Sequence, residues 1–400
     1  MALTPFAPLL VRLRVPDDEE ERAERLGRHR EPVPRGVIWV HAASAGETEG
    51  AEPILREISR RRPGAPLLVT SMTRAGKSRA GAIDGALSRF APLDIPGAVR
   101  RFLGAFRPRA LLLVETELWP NLIRESVRAG LAVAVVNGRI SSPAFRRMLR
   151  FEDLYRSVLG RVSLVGAQRE TDRERFARFG VPEDRLFVHG NTKIDTPVPE
   201  PRELGLSKGE GERWAVFGSV RPGEEEAVAR AARELLRRPD VKVIVAPRHP
   251  ERAALFEAEG ISWRRWSEGP DPEARAVLVD TVGDLLSFYA RADIAFVGGS
   301  LSEHGGHNPL EPARFGVPVL MGPRLDNCRE AADLLREAEA LEIVDGAEAL
   351  ADRMAWLLGN DGERKRRGRA GRGAIDSARG AAGRLVDRLV RGGILGTEGS

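Results

Sequence analysis

Short apolar runs alternate with helix-like segments along the whole chain, and this alternation limits the possible folds more than any other feature. Val37–Val40, Pro66–Thr70, Ala110–Val114, Ala132–Asn137 and Ser163–Ala167 have the length and residue types of buried strands. Between them the sequence predicts helices near Glu52–Arg61, Gly97–Phe106, Pro120–Ala129 and Glu170–Phe179. Strands that read as continuous apolar runs are covered on both faces, as in a parallel sheet. The Thr196-Pro-Val-Pro-Glu-Pro stretch, running on to Lys208-Gly-Glu-Gly, is rich in Pro and Gly and reads as a linker. The alternation then restarts with Ala215–Gly218, Val241–Ala246, Ala276–Val279, Ile294–Val297 and Val317–Leu320 as strands. Helices are expected near Glu224–Arg237, Val282–Arg291 and Leu310–Phe315. The reading is an α/β chain of two Rossmann-like halves with a cleft between them.

Four hundred residues suit two domains of about 200 each. A single cysteine, Cys328, excludes an intramolecular disulfide and a cysteine-based metal site. The net charge is +5, carried by 58 arginines and only five lysines. Acids are interspersed with the arginines almost everywhere, so no nucleic-acid stripe is evident. The basic cluster Arg364–Arg367 reads as a solvated helix face. No apolar run approaches the ~20 residues that span a bilayer. Leu3–Val15 is short, holds Pro5, Pro8, Arg12 and Arg14, and lacks the pattern of a signal peptide.

The chemistry-bearing residues follow predicted strands. His41-Ala-Ala-Ser-Ala-Gly-Glu47 follows the first strand and opens a helix, so Glu47 and Ser44 stand where open parallel sheets bind ligands. Helix capping is the competing role for Glu47. Glu115 and Glu117 lie just past another strand. In an extended continuation they share one face, and such a pair raises a pKa or binds a cation. The alternative is that Glu117 caps the helix starting near Pro120. Lys193, in Gly190-Asn-Thr-Lys-Ile-Asp195, is a compact point charge in a chain that otherwise uses arginine.

Two glycine-rich loops in the second half each lead into a helix. They are Phe217-Gly-Ser219-Val-Arg221-Pro-Gly223 and Val297-Gly-Gly-Ser300, the latter running on to His304-Gly-Gly-His307-Asn308-Pro309-Leu310-Glu311. Neither is a Walker A or dinucleotide fingerprint, but each suits a nucleotide phosphate. Pro247-Arg248-His249 also follows a strand, where Arg248 could grip a phosphate. His41, His249, His304 and His307 are all expected in loops lining the cleft. The last two have no carboxylate at ligand spacing, so a metal is not expected.

Together these motifs, with Glu115-Thr-Glu-Leu-Trp-Pro-Asn121, resemble those of the 3-deoxy-D-manno-octulosonic acid (Kdo) transferases, from about Arg25 to about Leu350. The resemblance implies a GT-B architecture, with residues 1–200 as the acceptor domain, 201–400 as the CMP-sugar domain and the last helix packed back on the first. It implies inverting transfer of Kdo from CMP-Kdo to a lipid A precursor, without a metal cofactor and without nucleic acid. By motif, Glu47 is the general base, and Glu115 and Lys193 stabilise the transition state. Pro247, Arg248, Val282, Gly283, Asp284, Asn308, Pro309, Leu310 and Glu311 form the CMP site, with Glu311 assigned to the ribose hydroxyls. Ser44, Ser219, Arg221 and Ser300 are further candidates for substrate contact.

The chain departs from the family pattern at three places in the donor half. Val282-Gly283-Asp284 stands where members often have Met-Gly-Glu, Ser219-Val-Arg221 where many have Ser-Thr-His, and Asn327-Cys328 where many have Asn-Phe. The family usually begins with a membrane-anchoring helix. Here only Leu3–Val15 occupies that place, so peripheral attachment to the cytoplasmic face of the inner membrane is expected. The alternatives are another GT-B nucleotide-sugar enzyme, such as a heptosyltransferase or an epimerase, or a silent protein that binds lipid A or a nucleotide.

Overall fold

A computed structural model of the chain describes residues 18–29, 33–257 and 260–395. The Leu3–Val15 stretch lies outside the described residues. The chain divides into two compact units, Met1–Pro197 with Ala378–Ser400, and Val198–Ser377. No helix among the described residues is long and apolar enough to cross a membrane.

The first unit is built on a seven-stranded sheet. Its strands are β1 (Ile38–His41), β2 (Leu67–Ser71), β3 (Ala86–Phe90), β4 (Ala110–Val114), β5 (Ala132–Gly138), β6 (Leu164–Ala167) and β7 (Leu186–Val188). They lie in the order β3-β2-β1-β4-β5-β6-β7, and every pairing is parallel. The chain winds outward from β1 to β3 and then returns to β4, so the direction of winding reverses between β1 and β4. Crevices open at such switch points, beyond the carboxyl ends of the strands. β1, β2 and β4 are buried along their whole length, which is why they read as unbroken apolar runs. Below them Trp39, Phe102 and Phe106 stack at centroid distances of 4.4 and 4.6 Å.

The second unit repeats the plan. Its strands are β8 (Arg213–Val220), β9 (Val241–Pro247), β10 (Arg264–Arg265), β11 (Ala276–Leu278), β12 (Ile294–Val297), β13 (Val319–Met321) and β14 (Leu341–Ile343). They pair in parallel in the order β10-β11-β9-β8-β12-β13-β14, which puts the switch point between β8 and β12. Strands β3, β7, β10 and β14 were not legible as apolar runs, because they are short or half-exposed and carry polar residues such as Ser88 and Arg89. The helix expected over Val282–Arg291 is confined to Leu285–Tyr289, since Gly283 takes a left-handed φ of 97° ahead of it.

Two features of the C-terminal region were not foreseen in detail. Arg364 is not solvated: it is buried, and its guanidinium reaches the carbonyls of Leu357 and Leu358 and, at 2.8 Å, Asp361. It thereby satisfies carbonyls at the end of the Gly346–Gly359 helix, a common duty for a base at a helix C-terminus. Arg367 pairs with Glu342 at 2.7 Å.

The helix Ala381–Arg391 belongs to the first unit. Its Leu385, Val386 and Leu389 share an apolar cluster with Ile54 and Ile58 of the Ala45–Arg61 helix. Asp195 caps it, accepting hydrogen bonds from the backbone N–H groups of Gly380 and Ala382, both at 2.7 Å. Arg384 donates to the carbonyl of His189 at 2.8 Å. Loss of a capping side chain costs on the order of 1–2 kcal/mol. Asp195→Ala is therefore expected to lower stability in urea unfolding by about that amount, and Asp195→Asn to recover part of it.

Candidate active site

In the first unit three acids and one lysine gather at the β1/β4 switch point. Glu47 is the third residue of the Ala45–Arg61 helix and forms a reciprocal capping box with Ser44. The Ser44 N–H donates to Glu47 Oε2 at 2.9 Å, and the Glu47 N–H donates to Ser44 Oγ at 3.3 Å. Capping thus fixes the side chain without burying it completely. Burial, and next the negative charge of Glu115, raise the Glu47 pKa.

Glu115 follows β4 directly and holds a left-handed backbone, φ 56°, tied by its N–H to the carbonyl of Val136 at 3.0 Å. Strain of this kind is on the order of 1–3 kcal/mol and gathers at functional sites. It also ends the strand-like extension expected for Glu115–Glu117, so the two acids take separate partners. Glu115 Oε1 meets Lys193 Nζ at 2.7 Å. Lys193 is delivered by the short 3₁₀ turn Thr192–Asp195, which is pinned at three points. Asn191 Oδ1 accepts from the Lys193 N–H at 2.9 Å, Asn137 Oδ1 from the Thr192 N–H at 3.0 Å, and the Gly50 carbonyl from Thr192 Oγ1 at 2.6 Å. A Cβ on Gly50 would lie 3.0 Å from Asn137 Nδ2 and 3.3 Å from Lys193 Cε, so the glycine gives the lysine its path.

Glu117 does not cap the Pro120–Arg128 helix, whose first turn has no side-chain cap. It turns back toward Glu47 and accepts from Trp119 Nε1 at 2.8 Å. Burial and the Glu47 charge push its pKa up to about 8. His41, expected in a loop, is instead the last residue of β1 and is fully buried. Burial holds its pKa down at about 4. Sequence reasoning missed the contact between Glu117 and Glu47; the spacing of apolar runs carries no sign of it.

The second unit centres on a residue that sequence reasoning took for part of an acidic helix start. Glu224 is fully buried. One carboxylate oxygen accepts from the N–H groups of Arg221 (2.8 Å) and Gly299 (2.7 Å), the other from those of Leu301 (2.8 Å) and Ser302 (3.4 Å). It stitches the loop after β8 to the loop after β12. A Cβ on Gly298 would stand 2.6 Å from the Ser219 carbonyl and 2.8 Å from Glu224, so the loops can close only around a glycine. Ser219 is left-handed at φ 56°, and Ser300 Oγ bonds to the Val297 carbonyl (2.6 Å) and, past β13, accepts from the Gly322 N–H (2.8 Å).

Arg221 donates from Nε to His307 Nε2 at 3.1 Å and from Nη1 to His249 Nε2 at 2.9 Å. Burial, then Arg221 and Arg248, lower the His307 pKa to about 4. Pro247 ends β9 opposite Val220, and the Arg248 N–H donates to the Val220 carbonyl at 2.8 Å while its side chain is exposed. Val282 is 82% exposed. Asp284 accepts from Thr281 Oγ1 at 2.6 Å, and Asn308 Oδ1 accepts from the Leu310 N–H at 3.0 Å. Pro309 leads into the Leu310–Ala313 turn, and Glu311 lies near enough to the buried Tyr289 hydroxyl to help raise its pKa. Within each unit the candidate residues therefore gather at one end of the sheet. No group of three or more His, Cys, Asp or Glu side chains that could hold a metal ion occurs among the described residues.

A family model described as 3-deoxy-D-manno-octulosonic-acid transferase (kdotransferase) matches residues 20–196, and one for glycosyl transferases group 1 matches residues 271–374. The 3-deoxy-D-manno-octulosonic acid transferase of Haemophilus influenzae is 34% identical to the chain over 399 residues, covering 95% of this chain and 93% of that one. The chain belongs to the Kdo transferase family. The Kdo transferase of Bordetella pertussis is 33% identical, with 91% and 90% covered. A putative UDP-N-acetylglucosamine 2-epimerase from Listeria monocytogenes shares the fold, with a TM-score of 0.58 at 15% identity, over 89% of this chain and 96% of that one. The architecture is thus that of the GT-B enzymes, and the protein is a glycosyltransferase that transfers Kdo. The heptosyltransferase, epimerase and silent-protein alternatives fall away.

Glu224→Ala leaves four backbone N–H groups of these Kdo transferase loops without their acceptor. The expected loss is at least about 3 kcal/mol, since each buried unpaired donor costs ~1–3 kcal/mol. Urea unfolding followed by tryptophan fluorescence reads it.

Proposed function

We propose that the protein transfers Kdo from CMP-Kdo to a hydroxyl of a lipid A precursor by direct displacement with inversion, using Glu47 as the general base. The observation that carries this reading is the placement of Glu47: fixed by its capping box, half-buried, raised in pKa, and adjacent to the Glu115–Lys193 pair. A sugar hydroxyl is a poor nucleophile and needs a positioned base as it attacks. The carboxylate takes the hydroxyl proton as the new C–O bond forms at the anomeric carbon. The bond to the CMP phosphate oxygen breaks, and CMP departs with the electron pair.

The anomeric carbon gains positive character in this step, and the negative charge of Glu115 opposes that development. Lys193 keeps Glu115 oriented and offers an ammonium to the anionic sugar. In the second unit the exposed Arg248 guanidinium and the N–H groups opening the Glu225–Leu236 helix would absorb the charge on the leaving phosphate. Pro247, Val282, Gly283, Asp284, Asn308, Pro309 and Leu310 would complete the CMP site. Glu311 would accept both ribose hydroxyls, a pairing that suits one carboxylate. Ser219, Arg221 and Ser300 serve this site by shaping its loops, and Ser44 serves the base by holding it. Work on a lipid acceptor fits peripheral attachment to the cytoplasmic face of the inner membrane.

Replacing Glu47 by Gln removes the proton acceptor and keeps the shape. The Glu47→Gln variant should lose transfer by about 100-fold or more. It should still be protected from thermal unfolding by CMP, and not by ADP or UDP. Transfer at the wild-type rate would overturn the base assignment, and protection by UDP or ADP equal to that by CMP would overturn the donor assignment. The acid limb of the wild-type pH–rate profile should lie above the ordinary carboxylate range, because activity appears only as pH rises through the raised Glu47 pKa.

A further inference from the structure

Glu117 touches the base but takes no part in the displacement, and its surroundings are unusually well defined. The chain turns sharply after β4, with the Leu118 N–H donating to the Thr116 carbonyl at 2.7 Å, and this returns Glu117 to the side of the sheet where Glu47 stands. Trp119 Nε1 donates to Glu117 Oε2 at 2.8 Å. His41 Nε2, in a fully buried ring, lies 3.8 Å from the same oxygen, beyond hydrogen-bond distance.

The other end of the imidazole is anchored on β2. His41 Nδ1 is 3.0 Å from Thr70 Oγ1, and the same hydroxyl accepts from Trp39 Nε1 at 2.8 Å. Trp119 occupies Glu117 Oε2, which leaves the other oxygen for the hydrogen bond with Glu47. Two carboxyl groups can share a hydrogen bond only with a proton between them.

We propose that Glu117 is a positioning residue that carries the single proton of the Glu47–Glu117 pair and donates it to Glu47, aiming the remaining lone pair of Glu47 at the acceptor hydroxyl. The proposal rests on Glu47 being the base. Glu47 Oε2 already accepts from the Ser44 N–H at 2.9 Å, so a second donor in the Glu117 carboxyl fixes the group at both ends. The groups facing Glu117 agree with a retained proton. Glu47 on the Ala45–Arg61 helix and Glu115 on the same turn are acidic and disfavour a further charge, His41 from β1 is neutral, and the Lys193 ammonium lies against Glu115. During transfer Glu47 gains the acceptor proton and Glu117 keeps its own. The proton on Glu47 leaves to solvent after product release.

Loss of the Glu117 proton at high pH replaces a hydrogen bond by repulsion between two carboxylates. The wild-type kcat/KM profile should therefore fall on its alkaline side near the Glu117 pKa of about 8. Glutamine mimics the protonated acid, because its amide N–H can donate to Glu47 while its oxygen accepts from Trp119. Glu117→Gln should keep activity within about tenfold of wild type at neutral pH. It should retain the acid limb and lose the alkaline limb. Glu117→Ala should lose kcat by about 100-fold with little change in acceptor KM. Thermal unfolding of each variant across the pH range confirms that it is folded.

A Glu117→Gln protein as inactive as Glu47→Gln would overturn the proposal, as would an unchanged alkaline limb in Glu117→Gln or full activity in Glu117→Ala. An active Glu47→Gln would instead strike the base assignment itself, and the pair with it. The two failures are thus read from different variants.

Discussion

Three carboxylates, those of Glu47, Glu115 and Glu117, meet at the ends of two adjacent strands, and the Lys193 ammonium lies 2.7 Å from one of them. Partial burial makes like charges at this distance expensive. The site resolves the conflict in two ways: Glu115 is neutralised by the lysine, and a proton is held between the other two acids. Everything that places Lys193 therefore bears on the chemistry of Glu47. The lysine hangs on a 3₁₀ turn that is bonded to the helix of Glu47 through Thr192 and Gly50. The same turn ends in Asp195, which caps the last helix of the chain. A helix from the far end of the sequence thus braces the turn that carries the charge.

The two units use one construction for different ends. In each, a residue at the carboxyl end of a central strand takes a left-handed backbone without being glycine: Glu115 just past β4 and Ser219 near the end of β8, both at φ 56°. In each, a glutamate stands at the start of a helix that follows a central strand, Glu47 after β1 and Glu224 after β8. Glu224 gives its carboxylate wholly to backbone N–H groups and is closed to ligands. Glu47 gives one oxygen to the Ser44 N–H and stays half-exposed. The first is a carboxylate used wholly as a structural acceptor; the second leaves part of its surface open to solvent.

Much of this was legible in the chain. The central strands announced themselves because burial on both faces demands unbroken apolar runs, and the acids after β1 and β4 then had to lie at one end of the sheet. The edge strands did not, since an edge needs only one covered face and tolerates Ser88 and Arg89. The meeting of Glu117 with Glu47 was hidden because it depends on the left-handed turn at Glu115; an extended chain would have pointed Glu115 and Glu117 the same way. Glu224 looked like any acid favouring a helix start, and only its burial distinguishes it from Glu225 and Glu226. Asp195 was unreadable as a cap because its partners lie 185 and 187 residues away.

The most direct test of the whole account is to supply the protein with CMP-Kdo and a tetra-acylated lipid A precursor, and to determine the mass and the anomeric configuration of the product. The account predicts an acceptor heavier by one or more Kdo units, linked with the configuration opposite to that of the donor. A product of retained configuration, or no transfer from a folded protein that binds CMP, would contradict it.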